Sequence, residues 1–180
     1  RALVRVTALG RDAEGWVGQL IGMYRAWAAR KGYEEQSFDP RHGLGAAYEL
    51  RPGGSFLALY VQGSNVYEFL RHEAGIHRLN LGEAESRQRH LARVSVILVP
   101  DEAEAGDPEQ LRGLLAGLAT ASSDEDSAVA RVYHQGRYRF VRDPRTGERA
   151  TNVAAVLGQG EIDAFLLASL RQLVSEPAVA

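Results

Sequence analysis

The first forty positions have apolar residues spaced in a way that predicts one strand followed by one helix. Apolar residues dominate positions 3 to 8, in a strand-like run that ends at Gly10. They then recur every three or four residues up to about Lys31, which is helical spacing, and Gly32 is typical of a helix end. The helix-spaced residues are Trp16, Leu20, Met23, Tyr24 and Trp27.

The middle of the chain contains further stretches of strand composition. Strands are predicted over residues 33–38, 46–50 and 55–62, with Arg51-Pro-Gly-Gly54 as the turn between the last two. A longer apolar run over residues 94–99 predicts a strand that is apolar on both faces and therefore central in its sheet.

A short helix is predicted between these strands. Ser64 or Asn65 can cap its first turn, and the helix continues to about Glu73 before Gly75 ends it.

The last third of the chain begins with a change of composition. Residues 101–128 are rich in acids, Gly and Ser, and they contain one amphipathic stretch, 108–118, that predicts a short helix. One or two strands are predicted over 130–141, turning about Gln135-Gly136, and a helix over 162–174. We expect that helix to pack on the N-terminal unit through Ile162, Phe165, Leu166, Leu170 and Leu173.

Composition indicates one compact globular unit, because 180 residues with 45% hydrophobic side chains can bury a real core. There is no cysteine, which excludes disulfides and thiolate metal sites and is compatible with a reducing cytoplasm, the location we expect. No apolar run reaches the roughly 20 residues of a membrane span, and no signal peptide opens the chain, so no membrane partner is predicted. Oligomeric state is left open.

Other chemistry is not indicated by the sequence. The five histidines show no paired metal-ligand spacing, and the chain contains neither a phosphate-binding Gly-x-x-x-x-Gly-Lys loop nor a Gly-x-Ser-x-Gly nucleophile turn. We therefore predict no cofactor, no metal, no catalytic residue and no enzymatic activity.

The order of motifs along the chain resembles bacterial class 1 peptide chain release factors, most closely the type that reads UGA and UAA. Residues 73–79 read Glu-Ala-Gly-Ile-His-Arg-Leu, residues 86–90 read Ser-Arg-Gln-Arg-His, and the strand-like run that follows ends at Pro100. Similar matches occur at Met23-Tyr-Arg-Ala-Trp-Ala28 and at Arg142-Asp-Pro-Arg-Thr-Gly147. The resemblance implies the codon-recognition superdomain of that family.

That superdomain is an α+β unit, a mixed and largely antiparallel sheet with helices on one side, and the predicted mixture of strands and helices agrees with it. Residues 1–100 are expected to form its N-terminal part and residues 129–180 the C-terminal part, which returns to the same domain. Residues 101–128 are then an acidic linker with a short helix, in place of the separate catalytic domain that the family carries at this point.

Two parts that the family uses in termination are absent from the sequence. There is no Gly-Gly-Gln motif, and Gly158-Gln159-Gly160 is interpreted as a break between two helices. Residues 80–85 read Asn-Leu-Gly-Glu-Ala-Glu, without the family's codon-reading tripeptide, and two of these residues are carboxylates that repel mRNA phosphates. Neither peptide release nor specific stop-codon reading is therefore expected.

The residues left for RNA contact are Arg87, Arg89, His90 and Arg78, which can bind phosphate and stack on bases at a strand–loop tip. The alternative is a solvated turn with salt bridges to Glu83 and Glu85. His77, between apolar neighbours, is interpreted as a packed, hydrogen-bonded structural residue.

Two functions remain open. The first is a release-factor-like protein that binds the ribosome or its RNA; the Arg-rich stretches favour it, although the net charge is −2. The second is a release-factor-like scaffold recruited as a protein-interaction domain of a larger polypeptide, such as an ATPase or chaperone subunit. The sequence leaves open whether the chain is a whole protein or a domain of a longer one.

Overall fold

The computed structural model describes residues 1–39, 43–44, 56–83, 88–101, 107–118 and 128–175. Within these ranges the strands are β1 (Ala2–Leu9), β2 (Glu34–Asp39), β3 (Gly43–Leu44), β4 (Phe56–Gln62), β5 (Gly75–Leu81), β6 (Gln88–Leu98), β7 (Val129–Gln135), β8 (Arg139–Arg142) and β9 (Arg149–Ala150). The helices are α1 (Glu14–Arg30), α2 (Val66–Leu70), α3 (Pro108–Leu118), α4 (Val153–Gln159) and α5 (Asp163–Ser175). The strand predicted over 46–50 and its turn lie outside the described residues.

The described strands form one mixed sheet in the order β3-β2-β4-β1-β6-β5-β7-β8-β9. Neighbouring strands are antiparallel except for β5 and β7, which are parallel. The predicted α+β class with a mixed, largely antiparallel sheet is confirmed. The strand predicted over residues 94–99 is the end of β6, which lies between β1 and β5 and is central, as expected.

The main core lies between one face of the sheet and helices α1, α4 and α5. Trp16, Leu20 and Trp27 of α1 and Phe165 of α5 are almost fully buried in it. Strand residues of alternate position contribute the sheet side, as the period of two along a strand requires. These residues include Val4, Val6, Leu59, Val61, Ala92 and Val94.

Helix α3 covers the other face of the sheet, so the expectation that the helices all lie on one side is wrong. Leu111 and Leu115 of α3 pack with Leu3 of β1 and with Ala58 and Tyr60 of β4 in a second, smaller core. The physical reason is that β1 and β4 carry apolar side chains at consecutive positions, and both of their faces must be kept from water.

Two predicted details of the helices differ in the structure. The helix after β4 is short, ending at Leu70 before a 3₁₀ turn over Arg71–Glu73, and Asn65 at its cap makes no side-chain hydrogen bond to it. Helix α5 packs through Phe165 and Leu166, whereas Leu173, which was expected in the core, is 53% exposed. Contact with the core thus weakens toward the end of α5.

Helices α4 and α5 meet at a sharp turn centred on Gly160. Gly160 has φ +66, and a Cβ there would lie 2.2 Å from the backbone nitrogen of Trp27 and 2.7 Å from the carbonyl oxygen of Met23. Only glycine fits, because α1 approaches so closely and because other residues rarely adopt this backbone angle. The interpretation of Gly158-Gln159-Gly160 as a helix break is therefore confirmed.

None of the described helices is by itself long and apolar enough to cross a membrane. Helices α4 and α5 meet that requirement only as a pair, by length and composition, and the angle between them is 92°.

Substituting Gly160→Ala is expected to lower the free energy of unfolding by at least about 2 kcal/mol, because a left-handed backbone costs ~1–2 kcal/mol for alanine and the new Cβ also meets α1. Gly158→Ala is the matched control, since its Cβ would meet nothing within 4 Å. It should change stability by less than about 1 kcal/mol, and in the stabilising direction. Urea unfolding of both variants measures this, and equal stabilities would contradict the close packing described here.

Candidate nucleic-acid interface

The predicted RNA-binding residues that the structure describes lie on two neighbouring strands. Arg78 is in β5, and Arg89 and His90 are at the start of β6, whereas Arg87 lies outside the described residues. In the antiparallel register, Arg78 is opposite Leu91, Asn80 is opposite Arg89, and Leu79 is opposite His90. The residues are thus close in the sheet, but they do not all point the same way.

Arg78, Arg89 and His90 do not all lie on the same face of the sheet. Leu79 belongs to the main core, so His90, its partner, lies on the face that α1, α4 and α5 cover. Arg78 and Arg89 lie on the opposite face. The structure therefore brings Arg78 and Arg89 together and separates His90 from them.

Other arginines share the face of Arg78 and Arg89, and sequence reasoning did not assign them to the site. Arg93 follows Arg89 by four residues in β6, and Arg142 of β8 pairs with Arg149 of β9. We name the face that carries Arg78, Arg89, Arg93, Arg142 and Arg149 the arginine face. Arg89, Leu91 and Arg93 are spaced two residues apart, which predicts that they share one face of a strand. The spacing does not show whether that face is the one that packs on the main core.

The strands that carry the arginine face contribute no negative charge to balance its arginines. Strands β1 and β4 to β9 contain neither Asp nor Glu. Among the described residues, the guanidinium groups of Arg78, Arg89, Arg93 and Arg142 form no ion pair. The Nε atoms of Arg78 and Arg93 are shielded from solvent without a hydrogen-bond partner. A shielded donor without a partner costs about 1–3 kcal/mol, so these two arginines carry unsatisfied hydrogen-bonding capacity.

A buried ionic network on the opposite side holds β5 and β7 in place. Arg131 of β7 donates two hydrogen bonds to the Glu73 carboxylate, at 2.7 and 2.6 Å, and Tyr24 of α1 donates a third at 3.0 Å. Both charged side chains are essentially inaccessible to solvent. Burial raises the pKa of Glu73, but the charges and hydrogen bonds around it, those of Arg131 first, together hold that pKa below its usual value.

The network continues into the turn between β8 and β9. The Asp143 carboxylate is 3.8 Å from Arg131 and 2.8 Å from Arg145, and Arg145 in turn donates to the carbonyl oxygen of His72 at 2.7 Å. Burial raises the pKa of Asp143, and the hydrogen bond and charge of Arg145 lower it below the ordinary value. The turn is thereby tied to the segment just before β5.

His77 of β5 lies inside this network and is a structural residue, as the sequence indicated. It is fully buried, with Nε2 at 2.8 Å from the carbonyl oxygen of Glu73 and Nδ1 at 3.1 Å from the hydroxyl of Tyr133. The carbonyl can only accept, so Nε2 carries the proton. Burial lowers the pKa of His77 to about 4, against the attraction of Glu73.

Comparison with known proteins identifies the fold's family. Residues 3–96 match the PCRF domain, which is more than half of the chain. The chain belongs to the PCRF domain family. Membership supports the class 1 release factor family that the sequence motifs resemble.

Relatives of this PCRF-domain chain include peptide chain release factor 2 of Chloroflexus aggregans, which is 27% identical over 238 aligned positions that cover 93% of this chain and 63% of the relative. Peptide chain release factor 2 of Thermosipho melanesiensis is 32% identical over 109 positions, covering 57% of this chain and 28% of the relative. The chain thus spans less than two thirds of the length of these relatives.

The 238 aligned positions outnumber the 180 residues of this chain, so the first alignment includes residues of the relative with no counterpart here. A solved structure, RF2 of Thermus thermophilus, has a TM-score of 0.68 at 18% identity and covers 98% of this chain and 69% of that one. This match agrees with the α+β fold.

Acid is expected to destabilise the PCRF-domain fold through His77. Its pKa is about 4 when folded and ~6.5 when unfolded, so the unfolded state binds a proton first as pH falls. Stability present above pH ~6.5 should be lost progressively toward pH 4, by up to roughly 3 kcal/mol. Urea unfolding from pH 7.5 to 4.5 measures the slope.

The variant His77→Gln keeps a donor for the Glu73 carbonyl but cannot titrate, so its stability should fall less steeply over this range than that of the wild-type chain. His90→Gln, at a partly accessible position, controls for loss of a histidine as such. Parallel curves for the wild-type chain and His77→Gln would show that His77 does not carry the pH dependence.

Proposed function

We propose that the chain is a non-hydrolysing release-factor-like protein that binds ribosomal RNA, with the arginine face at the ends of β5 and β6 as its contact surface. The observation that carries the proposal is the closeness of Arg78 and Arg89, which form no ion pair among the described residues, on β5 and β6, two strands that contain no acid. Arginine without a protein partner is suited to phosphate, which it binds in a bidentate way. Arg87 and His90 remain part of the proposed contact, and the cytoplasm is the proposed location.

The absence of hydrolysis is proposed from the sequence of the 180 residues. They contain no Gly-Gly-Gln, and the near match at 158–160 ends a helix, with Gly160 buried against α1. In this proposal, residues 101–128 replace the catalytic domain, and the chain represents the codon-recognition superdomain alone. Such a replacement requires residues of the relative that have no counterpart here, and the alignment with the Chloroflexus aggregans relative contains such residues.

Loss of stop-codon specificity is proposed from the segment between β5 and β6. Asn80 and Leu81 belong to β5, which leaves only residues 82–87 to connect the two strands. Exposed Glu83 adds negative charge beside the RNA that the family would read there. The release factor 2 relatives support descent from the type that reads UGA and UAA, with the reading function lost.

A protein-interaction domain in a larger polypeptide, such as an ATPase or chaperone subunit, is the second candidate. Helix α5 favours it, because Leu167, Leu173 and Val174 are 44, 53 and 88% exposed. Exposed apolar side chains on one helix are suited to a protein partner. This candidate needs no contact between the arginine face and RNA, which is how the two can be separated.

Co-sedimentation with purified ribosomes tests the first candidate. We expect salt-sensitive binding, and the double variant Arg78→Gln/Arg89→Gln should weaken it and reduce the dependence of log affinity on log salt by about 1–2, as lost phosphate contacts do. The matched control Arg25→Gln/Arg171→Gln removes the same charge from α1 and α5 and should bind like the wild-type chain. Equal binding by all three would remove the arginine face from the proposal.

The change Arg87→Ala/Arg89→Ala/His90→Ala tests the contact predicted from sequence in the same assay. Because His90 lies on the face covered by α1, α4 and α5, we expect the arginines to account for most of the loss. A single His90→Ala variant that loses as much as the triple variant would show the reverse.

Peptide release should be absent. Ribosomes that carry formyl-methionyl-tRNA and a UGA or UAA codon should release no more formyl-methionine with the chain than without it. A release factor with Gly-Gly-Gln is the positive control. Codon-dependent release above background would overturn the non-hydrolysing part of the proposal and leave ribosome binding untouched.

A further inference from the structure

Helix α5 continues beyond the part of it that is buried. Ser169 is its last buried residue, and residues 171–175 are all exposed. The side chain of Gln172 donates a hydrogen bond to the carbonyl oxygen of Arg145 at 3.1 Å, which holds one side of this end on the turn between β8 and β9. A helical segment of about six residues is not stable in water by itself, so packing normally supports it. The opposite side of this end is open to solvent among the described residues.

Four apolar side chains form a continuous stripe along that open side. At 3.6 residues per turn, Leu167, Leu170 and Val174 lie within about 60° of one another around the helix, and Leu173 is next to Leu170. Five large apolar side chains are exposed in the described part of the chain, and three of the five belong to this stripe. They are therefore clustered, whereas single exposed apolar residues are ordinary on a protein surface. We name these four residues the α5 stripe.

The charge beside the α5 stripe is positive and unbalanced. Arg171 lies about 40° from Leu167 around the helix. It is exposed and forms no ion pair among the described residues. Asp163, the other charged residue of α5, is bound by Arg30 and Lys31 at the opposite end of the helix. A partner that covers the stripe therefore meets one unpaired guanidinium, which suits a carboxylate.

Other charged groups close to this end of α5 are already paired. The 3₁₀ turn that precedes β5 packs against α5, and Arg71 of that turn binds Glu68. Arg145, which accepts the hydrogen bond of Gln172, binds the Asp143 carboxylate. The charge that a partner has to balance is thus that of Arg171.

Two other occupants fit the α5 stripe less well. An antiparallel pair of α5 helices from two copies of the chain overlaps the stripe best when it is centred near Leu170, and the two Arg171 side chains then lie close together with like charge. A lipid surface attracts clusters of about four to eight Lys and Arg residues. The stripe has one unpaired arginine beside it, in a sequence of net charge −2. A helix that carries an acidic residue meets neither difficulty.

We infer that the α5 stripe is the docking site for an amphipathic helix of a partner protein, whose apolar side chains pack on the stripe and whose carboxylate binds Arg171. Helices pair in this way through apolar residues at helical spacing and through charges on the flanks. The inference rests on the second candidate function, because it names the surface and the kind of partner through which a protein-interaction domain would act. It does not depend on contact between the arginine face and RNA.

Fluorescence anisotropy tests the inference with a labelled helical peptide that has leucines every three or four residues and glutamates on both flanks, titrated with the purified chain. Leu173→Gln should weaken binding roughly 10- to 100-fold, through loss of one buried leucine contact. Leu98→Gln is the matched control, because Leu98 is 55% exposed and Leu173 is 53% exposed, but Leu98 lies in β6. It should bind like the wild-type chain. Circular dichroism confirms that each variant is folded.

Exchange of charges tests the role of Arg171. Arg171→Glu should weaken binding of the glutamate peptide by roughly 2- to 10-fold and should improve binding of the same peptide with lysine in place of glutamate. Arg11→Glu makes the same change of charge at an exposed position before α1 and should leave both affinities unchanged. Equal effects of the two variants would overturn the assignment of a carboxylate to Arg171.

Four results would overturn the α5 stripe as a helix-docking site. The first two are no binding of the glutamate peptide and equal binding by the Leu173→Gln and Leu98→Gln variants. Binding to phosphatidylserine vesicles that Leu173→Gln abolishes would assign the stripe to a lipid surface instead. A dimer in sedimentation velocity that Leu173→Gln dissociates would assign it to a second copy of the chain.

Photo-crosslinking in cells separates this inference from the second candidate function. Val174, or Gln19 of α1, is replaced by p-benzoylphenylalanine, since both positions are exposed. A protein cross-linked at position 174 through a segment with helical leucine spacing and an acidic flank supports the inference, and any other kind of segment there overturns it. A protein cross-linked at position 19 alone overturns the inference and leaves the second candidate in place. No cross-linked protein at either position overturns both, and ribosome co-sedimentation tests the first candidate independently.

Discussion

The buried pair of Glu73 and Arg131 is the interaction on which the rest of the structure depends. Removal of one partner from such a pair typically costs about 3–5 kcal/mol, because the other charge is left in an apolar interior. Here the pair joins residues 58 positions apart in the sequence. Arg131 also lies 4.2 Å from the ring centre of Phe165, so α5 packs on the same group. The helix layer and the parallel strands β5 and β7 are thus fixed by one pair of charges.

The position of an arginine along its strand decides its role in this protein. Arg131 of β7 points into the main core, where the carboxylates of Glu73 and Asp143 balance its charge. Arg142 and Arg149, on strands beyond it, point the other way and form an opposed pair of like charges. Like charges directly opposite each other in a sheet are destabilising. The pair of Arg142 and Arg149 is therefore expected to lower stability locally, and the contact of Arg149 with the ring of Phe140 offsets part of that cost.

Much of the fold was predictable from the sequence, because local periodicity specifies local structure. β1, α1, α3 and α5 lie close to their predicted bounds, and the turn at Gly136 separates β7 from β8. Strand β5 was not predicted, because its apolar residues alternate with His77, Arg78 and Asn80, and the buried state of His77 depends on partners distant in the sequence. Which face of a strand is buried likewise depends on what packs against it. The sequence shows that Arg89 and His90 are neighbours and so point to opposite faces of a strand, but it does not show which of the two faces the main core.

The position of α3 on the second face of the sheet follows from the need to keep apolar side chains from water. A sheet with apolar side chains on both faces must be covered twice, and the residues of β1 and β4 that face away from the main core include Leu3 and Tyr60. Any segment that connects β6 to β7 must also pass from one side of β5 to the other, since β5 lies between them. An amphipathic helix in that connection meets both requirements, because Leu111 and Leu115 bury the second apolar patch. The connection therefore has a packing role of its own, and the sheet around it needs no further domain at this point to keep that patch from water.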